Sequence, residues 1–382
     1  MSAQPQPSNP APTPPSSLTS LDRVGRAIAE LRRGAAVAVI GPGDAVIAMT
    51  AEGMDGAALA RLSVLGDAPP ALLVTARRAA VLHLSAPGPG AVRLVMPGGL
   101  TEERLRLLAD PEANDTGPVP SGSSVEPLAA GSGAGASVAL AKLARLLPAT
   151  VTVPCPAPAL EADAWARARD LVAVAAEDIM GYHDTAARAL RPVGEARVPL
   201  DGAEDTRVVA FRPVDGGIEH LAIVIGHPDP AQPVLARLHS ECFTGDLLGS
   251  LRCDCGEQLR GAIAAIAAEG AGALLYLAQE GRGIGLVNKL RAYCLQDSGL
   301  DTVDANEQLG FDDDERLYSP AAEILRQLGF QRVRLMTNNP RKVAALARHR
   351  IEVVERVPHS FPANTHNLGY LRAKARRSGH LF

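Results

Sequence analysis

A chain of 382 residues is long enough for two domains, and its 47% hydrophobic content is ample for packed cores. A formal net charge of −4 argues against a general nucleic-acid binder, and no apolar run is long enough to span a bilayer. Five cysteines with no disulfide-like framework fit a reducing, cytoplasmic setting.

The first 19 residues are rich in Pro, Ser, Ala and Gln and lack the basic start and apolar core of a signal peptide, so they read as a disordered tail. After Ser20, Leu21, Val24, Ile28 and Leu31 recur at helical spacing, and Gly34 can stop the helix. Residues 35–40 and 45–50 read as buried strands joined by the turn Gly41-Pro42-Gly43-Asp44. The Gly/Ser/Pro-rich stretch 112–137 is predicted as a long mobile loop, and helices are predicted over 138–147 and 164–177. A boundary near 188–192 divides the chain into domains 20–190 and 191–382.

Beyond it, strands are predicted at 208–211, 220–225 and 234–239. A helix over 257–269 carries Leu259, Ile263 and Ile266 on its apolar face, and 273–277 is the next strand. The glycine-rich loop 279–285 precedes a helix starting near Leu286, which places backbone N–H groups and a dipole where phosphate can sit. Arg282 adds a guanidinium fork that matches phosphate oxygens. Residues 332–336 form a strand, Asn339 and Pro340 cap and begin a helix, and 367–378 reads as a basic helix with a solvated face. The fold class is mixed α/β in two domains, the first α+β and the second α/β.

Cys242, Cys253 and Cys255 follow C-x10-C-x-C, a thiolate trio suited to a soft, tetrahedral cation with zinc as the default. Three readings fit this spacing. A catalytic zinc keeps its fourth position open, a structural zinc takes a fourth ligand such as His239, and buried free thiols bind nothing.

Around the trio, Arg237-Leu238-His239-Ser240-Glu241 and Gln258 resemble the zinc signature of GTP cyclohydrolase II. Further matches follow in that family's order: Gln279 to Gly285, Tyr293, Asp301-Thr302-Val303, Ala305-Asn306, Gln308 to Phe311, Asp314-Glu315-Arg316 and Thr337 to Pro340. The resemblance runs from about Val193 to the C-terminus. It implies zinc-dependent hydrolysis of GTP to formate, pyrophosphate and 2,5-diamino-6-ribosylamino-4(3H)-pyrimidinone 5′-phosphate, the first step of riboflavin biosynthesis. It implies one zinc per subunit on the cysteine trio, magnesium with the triphosphate, and a homodimer. By the same resemblance Arg237, Leu238, His239, Ser240, Glu241, Gln258, Glu280, Gly281, Arg282, Thr302, Thr337 and Lys342 bind substrate. Tyr293 positions water or a proton, Asp314 accepts a proton, and Arg316 attacks the α-phosphorus. Arginine stays protonated up to about pH 12, so its own chemistry suits a stabiliser of phosphoryl charge, and both roles stand open. The family often has Arg immediately before Gln-Glu-Gly-Arg; here Ala278 removes that charge.

The order helix, strand, turn, strand in the first domain resembles 3,4-dihydroxy-2-butanone 4-phosphate synthase, the usual fusion partner. That enzyme needs an acidic cluster after the first strand to hold magnesium and move protons. Gly41-Pro42-Gly43-Asp44 offers one carboxylate there, with Glu52 and Asp55 as nearby substitutes, so the resemblance implies a fold kept without its chemistry. The alternatives are a bifunctional enzyme, a paralogue that stops at a formamidopyrimidine, and a zinc-stabilised binding protein without turnover.

Overall fold

The computed structural model describes residues 18–84, 88–113 and 119–361. Two seven-stranded sheets divide the elements between them. The first half runs α1 (Ser20–Arg32), β1 (Val37–Ile40), β2 (Ala45–Thr50), α2 (Gly56–Ser63), β3 (Ala71–Thr75), α3 (Ala76–Val81), β4 (Ala91–Val95), α4 (Glu102–Ala109), β5 (Ser124–Pro127), α5 (Gly133–Leu143), β6 (Ala149–Pro154), α6 (Ala162–Arg167), β7 (Val172–Ala175) and α7 (Ala176–Arg188). Its sheet order is β5-β4-β3-β6-β2-β1-β7. The second half runs β8 (Leu190–Arg197), β9 (Thr206–Pro213), β10 (His220–Ile225), β11 (Val234–Ser240), α8 (Cys255–Glu269), β12 (Gly272–Leu277), α9 (Leu286–Asp297), α10 (Thr302–Gln308), α11 (Ser319–Gln327), β13 (Arg332–Met336), α12 (Pro340–Arg348) and β14 (Glu352–Val357).

Helix α1 begins at a capping box in which Thr19 and Asp22 exchange hydrogen bonds, and it buries Leu21, Val24, Ala27 and Leu31. Ala27 takes the fully buried position expected for Ile28, which lies half-buried beside it. The predicted hairpin forms, with β1 antiparallel to β2 and Gly41 N donating to Asp44 O. Asp44 then accepts from the N–H groups of Gly133 and Ala134 at 2.7 and 3.1 Å, so its carboxylate anchors the start of α5.

Two expectations in this half need correction. The described part of 112–137 is not a mobile loop throughout, for it contains β5 and the first turn of α5. Its glycines serve close packing: a Cβ on Gly133 would lie 2.5 Å from Val39 O, and one on Gly135 would lie 2.2 Å from Ala129 O. Nor is 164–177 one helix. Asp170 turns the chain at φ 55°, and Val172–Ala175 then pairs in parallel with β1 before α7 begins. The pairing overrides a helical pattern that alanine-rich flanks suggested. The predicted basic helix at 367–378 lies outside the described residues.

The second sheet runs β14-β13-β11-β12-β10-β9-β8. Strands β11, β12, β13 and β14 pair in parallel, whereas β10, β9 and β8 continue antiparallel. Its core packs Leu238, Leu275, Leu277 and Leu335 against Ile324 and Leu325 of α11. Open parallel sheets receive ligands in the crevice beyond the carboxyl ends of their strands. Here those ends lead into 241–255 after β11, 279–285 after β12 and 337–339 after β13, the three segments the motifs occupy.

The halves meet over a shared apolar contact in which Leu147 packs with Ile284, Ala292, Leu309 and Phe311. Thr75 Oγ1 donates to Gly310 O at 2.7 Å, and buried Arg78 donates to Leu108 O and Gln308 O, both at 2.9 Å. Glu52 pairs with Arg291 at 3.0 Å and accepts from Leu147 N at 2.8 Å. Lys142 pairs with Glu315 at 2.6 Å.

Candidate active site

The end of β11 and the segment after it build a thiol cluster. The sulfurs of Cys242, Cys253 and Cys255 all lie within 4.8 Å of one another, and Cys242 Sγ is 3.7 Å from Cys253 Sγ. A short turn over Phe243–Leu247 folds above them, and Asp246 within it organises the region. One Asp246 oxygen accepts from Cys242 N and from the Tyr276 hydroxyl, each at 3.0 Å, and His239 Nε2 lies 3.0 and 3.1 Å from the two carboxylate oxygens. His239 also stacks on Tyr276 with centroids 5.5 Å apart. The histidine considered as a fourth ligand is therefore committed to Asp246, and among the described residues the metal-ligand group is the three sulfurs alone.

Lys289 of α9 reaches the same point. Its ammonium lies 3.0 Å from Cys242 Sγ, 2.9 Å from Glu280 Oε1 and 2.8 Å from Thr244 Oγ1. Burial alone would favour neutral Lys289, but Cys242 and Glu280 hold its proton and raise its pKa above the ordinary lysine value. Hydrogen bonds from Cys253 and Cys255 pull Cys242 far below the usual thiol range, while their shared proximity to it pushes both partners up. The donor set suits a thiophilic, tetrahedral ion, which would draw all three sulfurs into thiolate form. Steric fit agrees: a Cβ on Gly245 would stand 2.7 Å from Cys253 Sγ and 3.0 Å from Cys242 Sγ. Gly245→Ala is expected to weaken metal binding about tenfold or more by displacing those sulfurs, measured by competition with a chromophoric chelator. An unchanged affinity would show that the cluster tolerates the methyl.

The loop after β12 turns tightly. Gly281, Arg282, Gly283 and Gly285 all have positive φ, and a Cβ on Gly283 would lie 2.9 Å from the backbone of Glu315. Arg282 adopts φ 62° without being glycine, and the site bears that strain. Its Nη1 donates to Asp313 O at 3.1 Å, and its carbonyl accepts from Glu315 N at 3.0 Å. This loop is thereby stitched to the Asp314–Arg316 segment. Arg316 donates through Nε and Nη2 to the two oxygens of Asp314 at 2.7 and 2.6 Å. Burial works to raise the Asp314 carboxyl, but the charge and hydrogen bonds of Arg316 outweigh it and hold it below its ordinary value.

One pocket collects these groups. It is lined by the three cysteines, Glu280, Arg282 and Arg316, with Tyr293 on one wall and Thr337 and Lys342 on another. Tyr293 lies between two cations, Arg252 at 4.5 Å and Lys289 at 5.8 Å from its ring centroid. Burial raises its hydroxyl pKa, so it stays protonated at neutral pH.

A family model described as GTP cyclohydrolase II matches residues 191–358. A curated GTP cyclohydrolase-2 of Azospirillum brasilense is 58% identical over 375 residues, 97% of this chain and 97% of that protein. The chain belongs to the GTP cyclohydrolase II family. A riboflavin biosynthesis protein RibBA of Bacillus cereus is 48% identical over 216 residues, 56% of this chain and 54% of that protein. A crystal structure of RibBX, a two-domain 3,4-dihydroxy-2-butanone 4-phosphate synthase from A. baumannii, aligns with 89% of this chain and 100% of that one, at 16% identity and a TM-score of 0.38.

Within this cyclohydrolase, Arg237, His239, Ser240, Glu241, Gln258, Glu280, Gly281, Arg282, Thr302, Thr337 and Lys342 all line the pocket, as do Tyr293 and Arg316. Two predicted residues do not. Leu238 is buried in the sheet core, and its carbonyl, not its side chain, engages the site by accepting from Lys342 Nζ at 2.7 Å. Asp314 stands behind the pocket and acts on it through Arg316. Arg237 donates to Met336 O at 2.8 Å and Gln258 Oε1 at 2.5 Å, so it ties β11 to the ends of β13 and α8.

The sequence reading missed Arg252, Lys289 and His359 in the pocket wall. Lys289 follows Gly285 by four residues on a helix whose start was already placed at a phosphate loop, and that spacing was the available signal. His359 comes from beyond β14 and donates through Nε2 to Gln258 O at 2.9 Å, a contact no local pattern reveals. Arg145, just after α5, donates through Nη2 to Ala278 O at 2.7 Å, bringing a guanidinium from the first half.

Proposed function

We propose that the pocket binds GTP, that Cys242, Cys253 and Cys255 hold one zinc per subunit beside its imidazole ring, and that the products are formate, pyrophosphate and the 2,5-diamino-6-ribosylamino-pyrimidinone 5′-phosphate. The observation that carries this reading is the meeting of a thiol trio with the cations Arg282 and Arg316 in one cavity. Zinc, when bound, supplies a Lewis acid that activates water at neutral pH.

The chain's own residues do the rest. Arg282 and the N-terminus of α9 receive phosphate oxygens, with magnesium travelling on the triphosphate. Tyr293, held protonated, donates to the opening ring or orients water towards it. Lys289 neutralises the charge of the cysteine cluster and fixes Glu280, whose Oε2 accepts from Phe243 N at 2.6 Å. With Nε and Nη2 both donating to ionised Asp314, Arg316 is held as a guanidinium cation. That favours a stabiliser of charge on the α-phosphoryl group over a nucleophile, and Asp314 positions it and can receive the proton. Zinc-loaded protein incubated with GTP should release formate and pyrophosphate, and chelator-treated protein should release neither.

The division into 20–190 and 191–382, homodimer formation and a cytoplasmic setting belong to the same proposal. The first domain is read as lacking synthase chemistry, because its candidate carboxylates are engaged in structure. Asp44 holds the start of α5, Asp55 caps α2 by accepting from Ala58 N at 2.7 Å, and Glu52 binds Arg291 and Leu147 N. Proton abstraction beside a carbonyl needs a positioned base and a cation. No four-carbon phosphate is expected from ribulose 5-phosphate with magnesium. Magnesium-dependent turnover lost in Glu52→Gln or Asp55→Asn would restore the bifunctional reading.

A further inference from the structure

A second cavity opens between the two halves, with α1, α5 and α7 on one side and β10 and the start of the 279–285 loop on the other. Some of its polar groups pair with each other. Lys142 is bound to Glu315, and the Tyr182 hydroxyl donates to Asp215 at 3.0 Å. Arg32 and Arg145 differ. Arg32 Nε donates to Ala144 O at 2.8 Å and Arg145 Nη2 to Ala278 O at 2.7 Å, both neutral acceptors, and among the described residues neither forms an ion pair. Burial disfavours the Arg145 guanidinium most; the charge of Glu241 favours it, and the smaller effect of Arg32 opposes it. Glu241 and Glu280, whose charges favour it, line the other pocket.

His220 completes the group. Its Nδ1 accepts from Ala278 N at 3.1 Å, which places the proton of the neutral ring on Nε2. Burial, with Arg145 beside it, keeps that ring neutral, its pKa lowered to about 4. Two guanidiniums that repel each other and an imidazole N–H therefore share a wall, and Ile28, Leu143, Ile218 and Phe311 supply apolar surface around them.

We propose that this cavity binds a small organic phosphate monoester, its phosphate taken by Arg32, Arg145 and His220 Nε2–H and its organic part laid against the apolar wall. A phosphate dianion offers each guanidinium a charged acceptor and cancels their repulsion. The ligand also bears on catalysis. Arg145 and His220 grip the carbonyl and the amide of Ala278, the residue just before the loop that carries Glu280 and Arg282. Occupancy stiffens that loop, which makes the cavity an effector site.

The test titrates zinc-loaded, full-length protein with glycerol 3-phosphate and, separately, with inorganic phosphate, following heat and backbone hydrogen exchange over 278–285. Glycerol 3-phosphate is expected to bind more tightly than inorganic phosphate and to slow exchange in that segment. Arg32→Gln, on the exposed last turn of α1, should fold normally, weaken glycerol 3-phosphate about tenfold or more and abolish the slowing. Arg282→Gln, which alters the other pocket, should retain the binding. Failure of both probes to bind, unchanged affinity in Arg32→Gln, or loss of binding in Arg282→Gln alone would overturn the site. Equal affinity for the two probes would overturn its assignment to a monoester.

Discussion

Cys253→Ser should strip the protein of its metal and abolish ring opening. The trio supplies three ligand sulfurs, and the described residues place no further histidine, cysteine or carboxylate within ligand reach to replace one. A serine hydroxyl does not ionise at neutral pH, so the variant keeps two thiolates where three were needed. Metal affinity should fall about 100-fold or more, and formate release with it. The fold should survive, because half-buried Cys253 lies in the segment before α8, outside the packed apolar clusters of both sheets. Metal content, circular dichroism and formate release on the same preparation decide the matter. Full formate release from a metal-free variant would contradict the assignment of the cysteines.

Asp314→Asn should leave fold and metal content intact and lower turnover by about two to four orders of magnitude. The side chains are nearly the same size, and asparagine keeps one carbonyl oxygen for Arg316. It loses the second charged acceptor and the negative charge, so Arg316 is left in a partly buried place with its cation unbalanced. It also cannot take up a proton. The carboxylate it replaces is held ionised at neutral pH, with a pKa below the ordinary value. Near-normal turnover would reduce the Asp314–Arg316 pair to a local turn.

Legibility in the sequence followed the range of the interactions. Strands such as Ala45–Thr50 and His220–Ile225, and the start of α9 at Leu286, were readable because apolar runs and flanking glycines set their bounds. The edge strand Val172–Ala175 was not, because its pairing with β1 is made more than a hundred residues away in the chain. The glycines at 133 and 135 looked like loop composition and proved to be close contacts between α5 and its neighbours. The same divide runs through the site. The cysteine trio, the 279–285 loop and Asp314–Arg316 each sit in a short, chemically distinctive segment. Lys289, His359 and Arg145 reach the site or its edge by tertiary approach, and Arg145 comes from the other half of the molecule. The role of Glu52 was likewise hidden, since its partner Arg291 lies in α9.

The central claim is that one pocket opens the guanine ring and cleaves the triphosphate. The measurement that tests it most directly is the amount of formate and pyrophosphate released per GTP consumed by zinc-loaded protein. Equimolar formate and pyrophosphate, accumulating together with the diaminopyrimidine 5′-phosphate, is the predicted result. GTP consumed with pyrophosphate but without formate would identify a formamidopyrimidine-forming paralogue and contradict it, as would GTP that binds and is recovered unchanged.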